Sequence, residues 1–302
     1  MSPVDLPRLL VRSQPLETDN LATYLQRLSA LNGYDSPRWI APPERNVKWN
    51  EARWKRLSGM TGDSVERLLH LASGDEFLAF GAGLPGVKLP RLQWAVAGSK
   101  ACPECVADGE IAWALWDLRV VTACPVHGCR LVHSCPDCGT KLRLNRPAPS
   151  RCASLRCSSG PGLADRVAAP KATVDLVRAL ARTAGHRSAP RADRLRSLER
   201  LELNEALRLI EELAFPIERH RKRRNLLDPL GTVDIVAEAL SDLPASFEAY
   251  LERVADRIGG TSRYDIVVNF PFLCSLFLWV DAQAARDPAC RAATNDNGRG
   301  PR

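Results

Sequence analysis

The sequence of 302 residues has no long apolar segment. Its first residues, MSPVDLPRLLVRSQ, lack the apolar run of a signal peptide and include an acidic residue, Asp5, which argues against secretion. The most apolar stretch, Phe270 to Val280, is too short to cross a bilayer and contains Pro271, so it is more typical of a buried helix or strand. We therefore expect a cytoplasmic protein without a membrane segment.

Lysine is scarce, with 7 residues against 35 arginines, and the formal net charge is +7. A basic balance favours a nucleic-acid partner, although an excess of arginine is equally typical of a GC-rich genome. If seven thiolates and one histidine bind two Zn²⁺, the net charge falls to +4. Composition alone therefore gives DNA binding only modest support.

The N-terminal region has the periodicity of amphipathic helices. In LETDNLATYLQRLSALNGY the apolar residues recur at helical spacing, and we expect Thr18 or Asp19 to cap the helix and Asn32 with Gly33 to end it. A second, basic helix is predicted in VKWNEARWKRL. A third is predicted in GDSVERLLHLAS, with Asp63 as its cap and an apolar face that is formed by Val65, Leu68, Leu69 and Ala72.

The second and third helices are separated by a short turn and resemble a helix-turn-helix. In that interpretation Arg67 and His70 point outward from the second helix of the pair, where a groove-reading helix displays its side chains. The alternative is an ordinary packed helical pair, which has the same pattern.

After a predicted linker, SSGPGLADRVAAPK, the pattern is again helical from Ala172 to about Val280. The segments TVDLVRALARTA, RLRSLERLELNEALRLIEELAF, TVDIVAEALSDL and SFEAYLERVADRIGG predict a small all-α domain. The run ERHRKRRN is either a grip for phosphate or an acidic partner, or a solvated helix end. Its permanent cations are Arg219, Arg221, Lys222, Arg223 and Arg224.

Eight of the ten cysteines lie between Cys102 and Cys157, and such clustering in a chain of this length favours metal over disulfides. Two pairs, C-x₂-C and C-x₂-H, are separated by 18 residues, and a C-x₂-C pair and a C-x₄-C pair by 13. This spacing predicts one Cys₃His and one Cys₄ zinc site. The ligands are Cys102, Cys105, Cys124 and His127 in the first site, and Cys135, Cys138, Cys152 and Cys157 in the second.

Cys129 and His133 remain outside these sets. Cys129 could replace His127 as a ligand, but a C-x₂-H knuckle closes more naturally, so we favour His127. Four protein ligands leave no open position on an ion, and the sequence has neither H-E-x-x-H nor H-x-E with P-C-x-x-C. We therefore expect two structural Zn²⁺ ions and no enzyme activity.

The predicted fold is mainly α, with a small zinc-stabilised α+β module in the middle. Residues 1–95 form an N-terminal helical domain with the helix-turn-helix-like unit, and residues 96–160 form the double zinc-binding module. Residues 161–284 form a C-terminal helical domain. Residues 285–302 form a disordered tail because they hold too few apolar side chains to pack.

The order of these features resembles the TniQ family of target-selection proteins of Tn7-like and related transposons. The resemblance is carried by LATYLQRLSALNGY, MTGDSVERLLHL, CPEC and WALWDLRVVTACPVHGCRLVHSCPDCG, and it extends from about Pro15 to Cys157. The family implies the same eight zinc ligands and the helix-turn-helix. It also suggests that Trp113 and Trp116 pack the zinc module against its neighbours.

The resemblance implies a role in transposition, a form of DNA recombination. Such proteins link a target-recognition device, in some systems an RNA-guided CRISPR effector complex, to the transposon's AAA+ ATPase, which recruits the transposase. A homodimer is a further expectation. The alternative is a TnsD-like reader of a DNA site, or a DNA-binding regulator, because longer relatives contact DNA through added modules.

Overall fold

The computed structural model describes residues 8–42, 49–72, 99–109, 112–143, 146–154, 156–195, 198–223, 229–241 and 246–258, with the backbone alone for 215–223, 229 and 257–258. Within these residues the structure has eight α helices and no continuous β strand, which confirms a mainly α fold. The helices are α1 Leu21–Leu31, α2 Glu51–Thr61, α3 Val65–Leu71, α4 Pro103–Gly109, α5 Lys171–Thr183, α6 Leu203–Arg223, α7 Pro229–Ser241 and α8 Ser246–Ile258.

Helix α1 starts at Leu21 because Asn20 caps it. The Asn20 Oδ1 atom accepts a hydrogen bond of 2.8 Å from the Thr23 N–H, and the Thr23 hydroxyl accepts one of 2.9 Å from the Asn20 N–H. This reciprocal pair satisfies two amides that a helix start otherwise leaves without partners. The helix ends at Asn32, as the sequence predicts.

The prediction that Thr18 or Asp19 caps α1 is wrong. The Asp19 carboxylate accepts a hydrogen bond of 2.8 Å from the Leu16 N–H and pairs with the Arg27 guanidinium at 2.5 Å. Its side chain thus fixes the turn that precedes the helix, and the cap passes to the next residue.

Helices α2 and α3 are joined by three residues, Gly62, Asp63 and Ser64. Gly62 adopts a left-handed conformation with φ 84°, which glycine reaches without steric cost. Ser64 caps α3, so the prediction of Asp63 as the cap is wrong. Asp63 is buried instead and accepts a hydrogen bond from the Tyr24 hydroxyl of α1, which ties the turn to the first helix.

The first three helices share one apolar core. Leu68 and Leu71 of α3 point into it, whereas Leu69 is 47% exposed, so the predicted apolar face of α3 is wrong at that position. The α1 side of the core is formed by Leu21, Tyr24, Leu25 and Leu28, and the α2 side by Leu57 and Met60.

The middle region has little regular structure apart from α4. The β part of the predicted α+β module is reduced, among the described residues, to isolated antiparallel bridges. These bridges are Ala101 with Val132, Ala123 with Arg130, Cys129 with Ala168, and Ser134 with Lys141. With so few bridges, the shape of this region depends on turns and on the contacts of its cysteines.

The chain divides into two compact units. One combines Met1–Ala169 with Ala181–Pro190, and the other combines Pro170–Leu180 with Arg191–Arg302. In the second unit α6, α7 and α8 pack against one another. The Tyr250 hydroxyl of α8 donates a hydrogen bond of 2.6 Å to the Leu213 carbonyl of α6, and the Phe247 ring lies 5.7 Å from the Tyr250 ring.

The predicted tail 285–302 and the apolar stretch Phe270 to Val280 lie outside the described residues. In the part of the chain that the structure describes, no helix has both the length and the apolar character needed to span a membrane. The division of the chain at residues 95 and 160 stays a prediction.

Candidate metal centres

The first predicted ligand set comes together as one group. One ligand atom from each of Cys102, Cys105, Cys124 and His127 lies within 4.8 Å of every other. The His127 Nδ1 atom is 3.4, 3.2 and 3.7 Å from the sulfurs of Cys102, Cys105 and Cys124, and the last two sulfurs are 3.6 Å apart. The four donor atoms therefore converge on one point.

These distances fit a tetrahedral zinc ion. With Zn–S bonds of about 2.3 Å, two sulfurs on a tetrahedron are separated by about 3.8 Å, and a sulfur and a nitrogen by about 3.6 Å. The observed separations of 3.2 to 3.7 Å lie at or slightly below those values. The first group can therefore hold a metal ion, and its donors are compatible with zinc.

Two backbone turns bring the donors of the first group together. Cys102 directly precedes α4, and Cys105 lies in the first turn of that helix, where its N–H donates to the Cys102 sulfur at 3.4 Å. On the other side, the His127 N–H donates to the Cys124 sulfur at 3.5 Å, and Gly128 adopts φ 65° as its N–H reaches the Cys124 carbonyl. Glycine is suited to this position because it tolerates a positive φ.

The second predicted set also forms one group. The ligand atoms of Cys135, Cys138, Cys152 and Cys157 lie within 4.8 Å of one another. The sulfurs of Cys135 and Cys157 are 3.8 Å apart, and those of Cys138 and Cys152 are 3.5 Å apart, as a Cys₄ tetrahedron requires. The two groups thus have the same members as the two sets that the spacing predicts.

The two groups are built on the same turn. In the second group Gly139 adopts φ 69°, and its N–H donates to the Cys135 carbonyl at 3.0 Å, as the Gly128 N–H does to the Cys124 carbonyl. The residue after each glycine closes the turn through its backbone carbonyl. The Cys129 carbonyl accepts a hydrogen bond of 2.8 Å from the Cys124 N–H, and the Thr140 carbonyl accepts one of 2.9 Å from the Cys135 N–H. Cys129 and Thr140 are therefore equivalent positions.

Cys129 lies outside the first group of four but touches it. Its sulfur is 3.4 Å from the Cys102 sulfur, just as the Thr140 hydroxyl oxygen is 3.2 Å from the Cys138 sulfur. Both side chains can donate a hydrogen bond to a ligand thiolate. His133, the other residue that the predicted sets leave out, has an exposed side chain.

The thiols of the first group strongly influence one another. Hydrogen bonds from the Cys105, Cys124 and Cys129 thiols hold the pKa of Cys102 far below its usual value. The hydrogen bond between Cys105 and Cys102 in turn raises the pKa of Cys105. The hydrogen bond between Cys124 and Cys102 likewise raises the pKa of Cys124 to about 12. Such crowding favours one thiolate at a time, whereas a divalent cation stabilises all of them together.

The second group is more exposed. The Cys138 side chain faces solvent and Cys157 is partly exposed, whereas the three cysteines of the first group are buried. Hydrogen bonding with the side chain and the backbone of Thr140 lowers the pKa of Cys138 to about 6. This thiol is therefore ready to bind a metal at neutral pH.

The metal region is attached to α1 through buried contacts. The Asp117 carboxylate accepts a hydrogen bond of 3.0 Å from the amide of Asn20, the cap of α1, and the Ala114 N–H donates to the Thr18 carbonyl at 2.8 Å. Trp116 is 1% exposed, and the Trp113 ring lies 5.5 Å from the His186 ring. Both tryptophans thus pack inside the unit that contains the metal groups.

The residues predicted to bind nucleic acid or a partner lie elsewhere. Arg67 and His70 are on the exposed side of α3, where Arg67 contacts the Gln14 side chain and lies 3.8 Å from the Asp63 carboxylate. The backbone of Arg219, Arg221, Lys222 and Arg223 belongs to α6, and Arg224 lies outside the described residues. The role of these residues stays a prediction.

Sequence reasoning missed the charged residues around His127. The His127 Nε2 atom lies 3.4 Å from an Asp108 oxygen and 4.0 Å from a Glu104 oxygen, and Arg166 pairs with Glu104 at 2.8 Å. The spacing of Glu104 and Asp108 could have revealed them, because residues four apart lie on the same face of a helix.

The fold and these groups define a mainly helical protein whose middle contains two four-ligand groups. The TniQ family model matches residues 10–131, and this match supports membership of the TniQ family, as the motifs predict. A TniQ domain indicates a transposition-associated target-selection protein. The match includes the first ligand group and ends before the second, which the predicted resemblance had also included. No curated protein matches the chain.

Proposed function

We propose that the protein is a targeting adaptor without enzyme activity. It connects a target-recognition complex to the transposon's AAA+ ATPase and so directs the transposase to the insertion site. The observation that carries this proposal is the TniQ domain in residues 10–131. The recognition complex is either an RNA-guided CRISPR effector or another DNA-bound device.

The two ligand groups support a structural rather than a chemical role for the metal. Each group offers four protein donors, and a Zn²⁺ ion held by four protein ligands has no position left for water or a substrate. Two Zn²⁺ ions per chain would fix the turns at Cys124 and Cys135, in a region where the described residues form only isolated β bridges.

The contacts of the metal region support its use as a rigid connector. Asp117 and Ala114 join it to the start of α1, and the Gln26 side chain of α1 donates to the Arg146 carbonyl at 3.2 Å. The N-terminal helices and the metal region therefore belong to one compact unit. An adaptor needs such rigidity, because it must hold two partners in a defined geometry.

Binding to the AAA+ ATPase tests the adaptor proposal. The tagged protein is expected to retain the ATPase in the presence of ATP and duplex DNA. The Cys105→Ser variant, which loses a metal ligand, is expected to retain much less of it, whereas Cys129→Ser is expected to behave as the wild type. Failure of the wild type to bind the ATPase under these conditions would contradict the proposal.

The second candidate function is direct reading of a DNA site. It is favoured by the turn between α2 and α3 and by the exposed Arg67 and His70 of α3. A site reader binds its own duplex at physiological salt without partners, and Arg67→Ala weakens that binding. Weak binding with a steep salt dependence for all sequences indicates phosphate contact alone and favours the adaptor.

A further inference from the structure

Charged side chains surround the first ligand group next to the edge of the His127 ring that points away from the sulfurs. The His127 ring presents Nδ1 to three sulfurs at 3.2 to 3.7 Å, and its other nitrogen, Nε2, faces Asp108 at 3.4 Å and Glu104 at 4.0 Å. A neutral imidazole has one N–H donor and one acceptor nitrogen. Because Nδ1 has to supply the lone pair to the metal, Nε2 has to carry the proton.

We propose that Asp108 is a positioning residue for this metal site, which accepts the Nε2 proton of His127 and fixes Nδ1 as the metal ligand. The inference rests on the metal binding proposed above. An imidazole that donates its second nitrogen to a carboxylate is held in one tautomer and one orientation, and it becomes a more basic ligand.

Glu104 and Arg166 explain why Asp108 rather than Glu104 takes this position. The Glu104 carboxylate pairs with the Arg166 guanidinium at 2.8 Å, so its charge is largely compensated, and it lies farther from Nε2 than Asp108 does. Asp108 stands one helical turn after Glu104 on the same face of α4. It therefore offers the nearer and less compensated oxygen.

Arg166 is itself held in place by the backbone. It donates a hydrogen bond of 3.2 Å to the His127 carbonyl. The residues that follow it pair with the turn, because the Arg130 N–H donates to the Val167 carbonyl at 2.7 Å and the Ala169 N–H to the Gly128 carbonyl at 2.9 Å. We call residues 166–169 the strap. The strap fixes the guanidinium that holds Glu104.

The second ligand group provides the internal control. Cys138 occupies the position in the second turn that His127 occupies in the first. Its thiolate has no N–H group, so it needs no acceptor such as Asp108. In this second group an oxygen of Asp137 lies 3.5 Å from the Cys157 sulfur. Removal of Asp137 therefore leaves the histidine site untouched, whereas removal of Asp108 does not.

Zinc competition against a chromophoric chelator measures the effect. Asp108→Ala is expected to lower the affinity of one of the two sites by about 10- to 100-fold, and Asp108→Asn, which keeps an acceptor oxygen, by less. Asp137→Ala is expected to leave the affinity of the histidine site within about twofold of the wild type. Since the Asp108 side chain is 69% exposed, both Asp108 variants are expected to fold.

Long-range proton–nitrogen NMR of the histidine side chains provides a readout that a merely structural role would not move. Only five histidines are present, and only the first group contains one. In the zinc-bound wild type His127 is expected to bind through Nδ1 and to show a protected Nε2 proton. In Asp108→Ala that proton is expected to exchange faster with water.

The outcomes separate the two proposals. If the wild type binds no metal, the proposed zinc sites fail and the role of Asp108 fails with them. If the wild type binds two ions but Asp108→Ala and the wild type have equal affinities, or His127 binds through Nε2, only the role of Asp108 is overturned. Loss of affinity together with faster exchange of the Nε2 proton supports it.

Discussion

The two ligand groups share one backbone turn but differ in their surroundings. In the first, the cysteines are buried and the histidine has charged neighbours, whereas in the second Cys138 is exposed and Cys157 is partly exposed. A shared turn therefore does not mean that the two sites are equal. Because metal release requires water or a chelator to reach the ligands, we expect the second site to exchange its ion faster.

The largest expected effect is the removal of both ions. A strong chelator is expected to lower the Tm by about 10 °C or more, because the metal-binding free energy of such sites is largely folding free energy. Release is expected in two phases, with the faster phase from the second site. Zinc content and tryptophan fluorescence, followed together, check this, and a single phase would remove the proposed difference between the sites.

Loss of one ligand from each group compares the sites directly. Cys105→Ser is expected to lose one ion and to shift the fluorescence of the buried Trp116, since the first group lies in the core of its unit. Cys138→Ser is expected to lose one ion with little change in fluorescence, because its side chain is exposed. Native mass spectrometry counts the ions, and equal fluorescence changes would contradict this prediction.

Exchange of the fourth ligand has a smaller expected effect. His127→Ala is expected to loosen one ion and destabilise the region around Trp113 and Trp116, whereas Cys129→Ser is expected to keep two ions bound. Cys129 is the matched control because its sulfur lies 3.4 Å from the Cys102 sulfur without belonging to the group. Tight binding by His127→Ala would instead indicate that Cys129 takes over as ligand.

The smallest expected effect concerns the donors that follow each glycine. A hydrogen bond contributes a net free energy of about 0.5–1.5 kcal/mol, so Thr140→Ala is expected to weaken the second site by about 2- to 10-fold. Cys129→Ala is expected to do the same to the first site. Zinc competition on both variants checks the equivalence of the two positions, and an effect of Thr140→Ala on the histidine site would disprove it.

The sequence predicts the ligand sets because spacing alone determines which donors a turn can bring together. Helical periodicity likewise reveals α1, α2 and α3, but not their caps, since several polar residues compete for each helix start. At α1, Asp19 binds Leu16 and Arg27, so Asn20 takes the cap. At α3, Tyr24 binds Asp63, so Ser64 takes the cap.

Contacts between distant parts of the chain are beyond the reach of periodicity. Arg166 follows His127 by 39 residues, in a segment that has no helical or strand pattern. The exposure of Leu69 has a similar origin, because the core of the first three helices admits Leu68 and Leu71 and leaves Leu69 outside. Such details depend on which surfaces meet, and the local sequence does not contain that information.

The strap determines where the chain can be shortened. A fragment that ends at residue 160, the predicted end of the zinc module, leaves the Arg130 N–H and the Gly128 carbonyl without the partners that Val167 and Ala169 provide. A fragment that ends at residue 169 keeps both hydrogen bonds and the Arg166 side chain. Ala181–Pro190 belongs to the same compact unit, so even this fragment exposes the Trp113 surface that His186 covers. Dissection of the protein should therefore follow its backbone hydrogen bonds and buried rings.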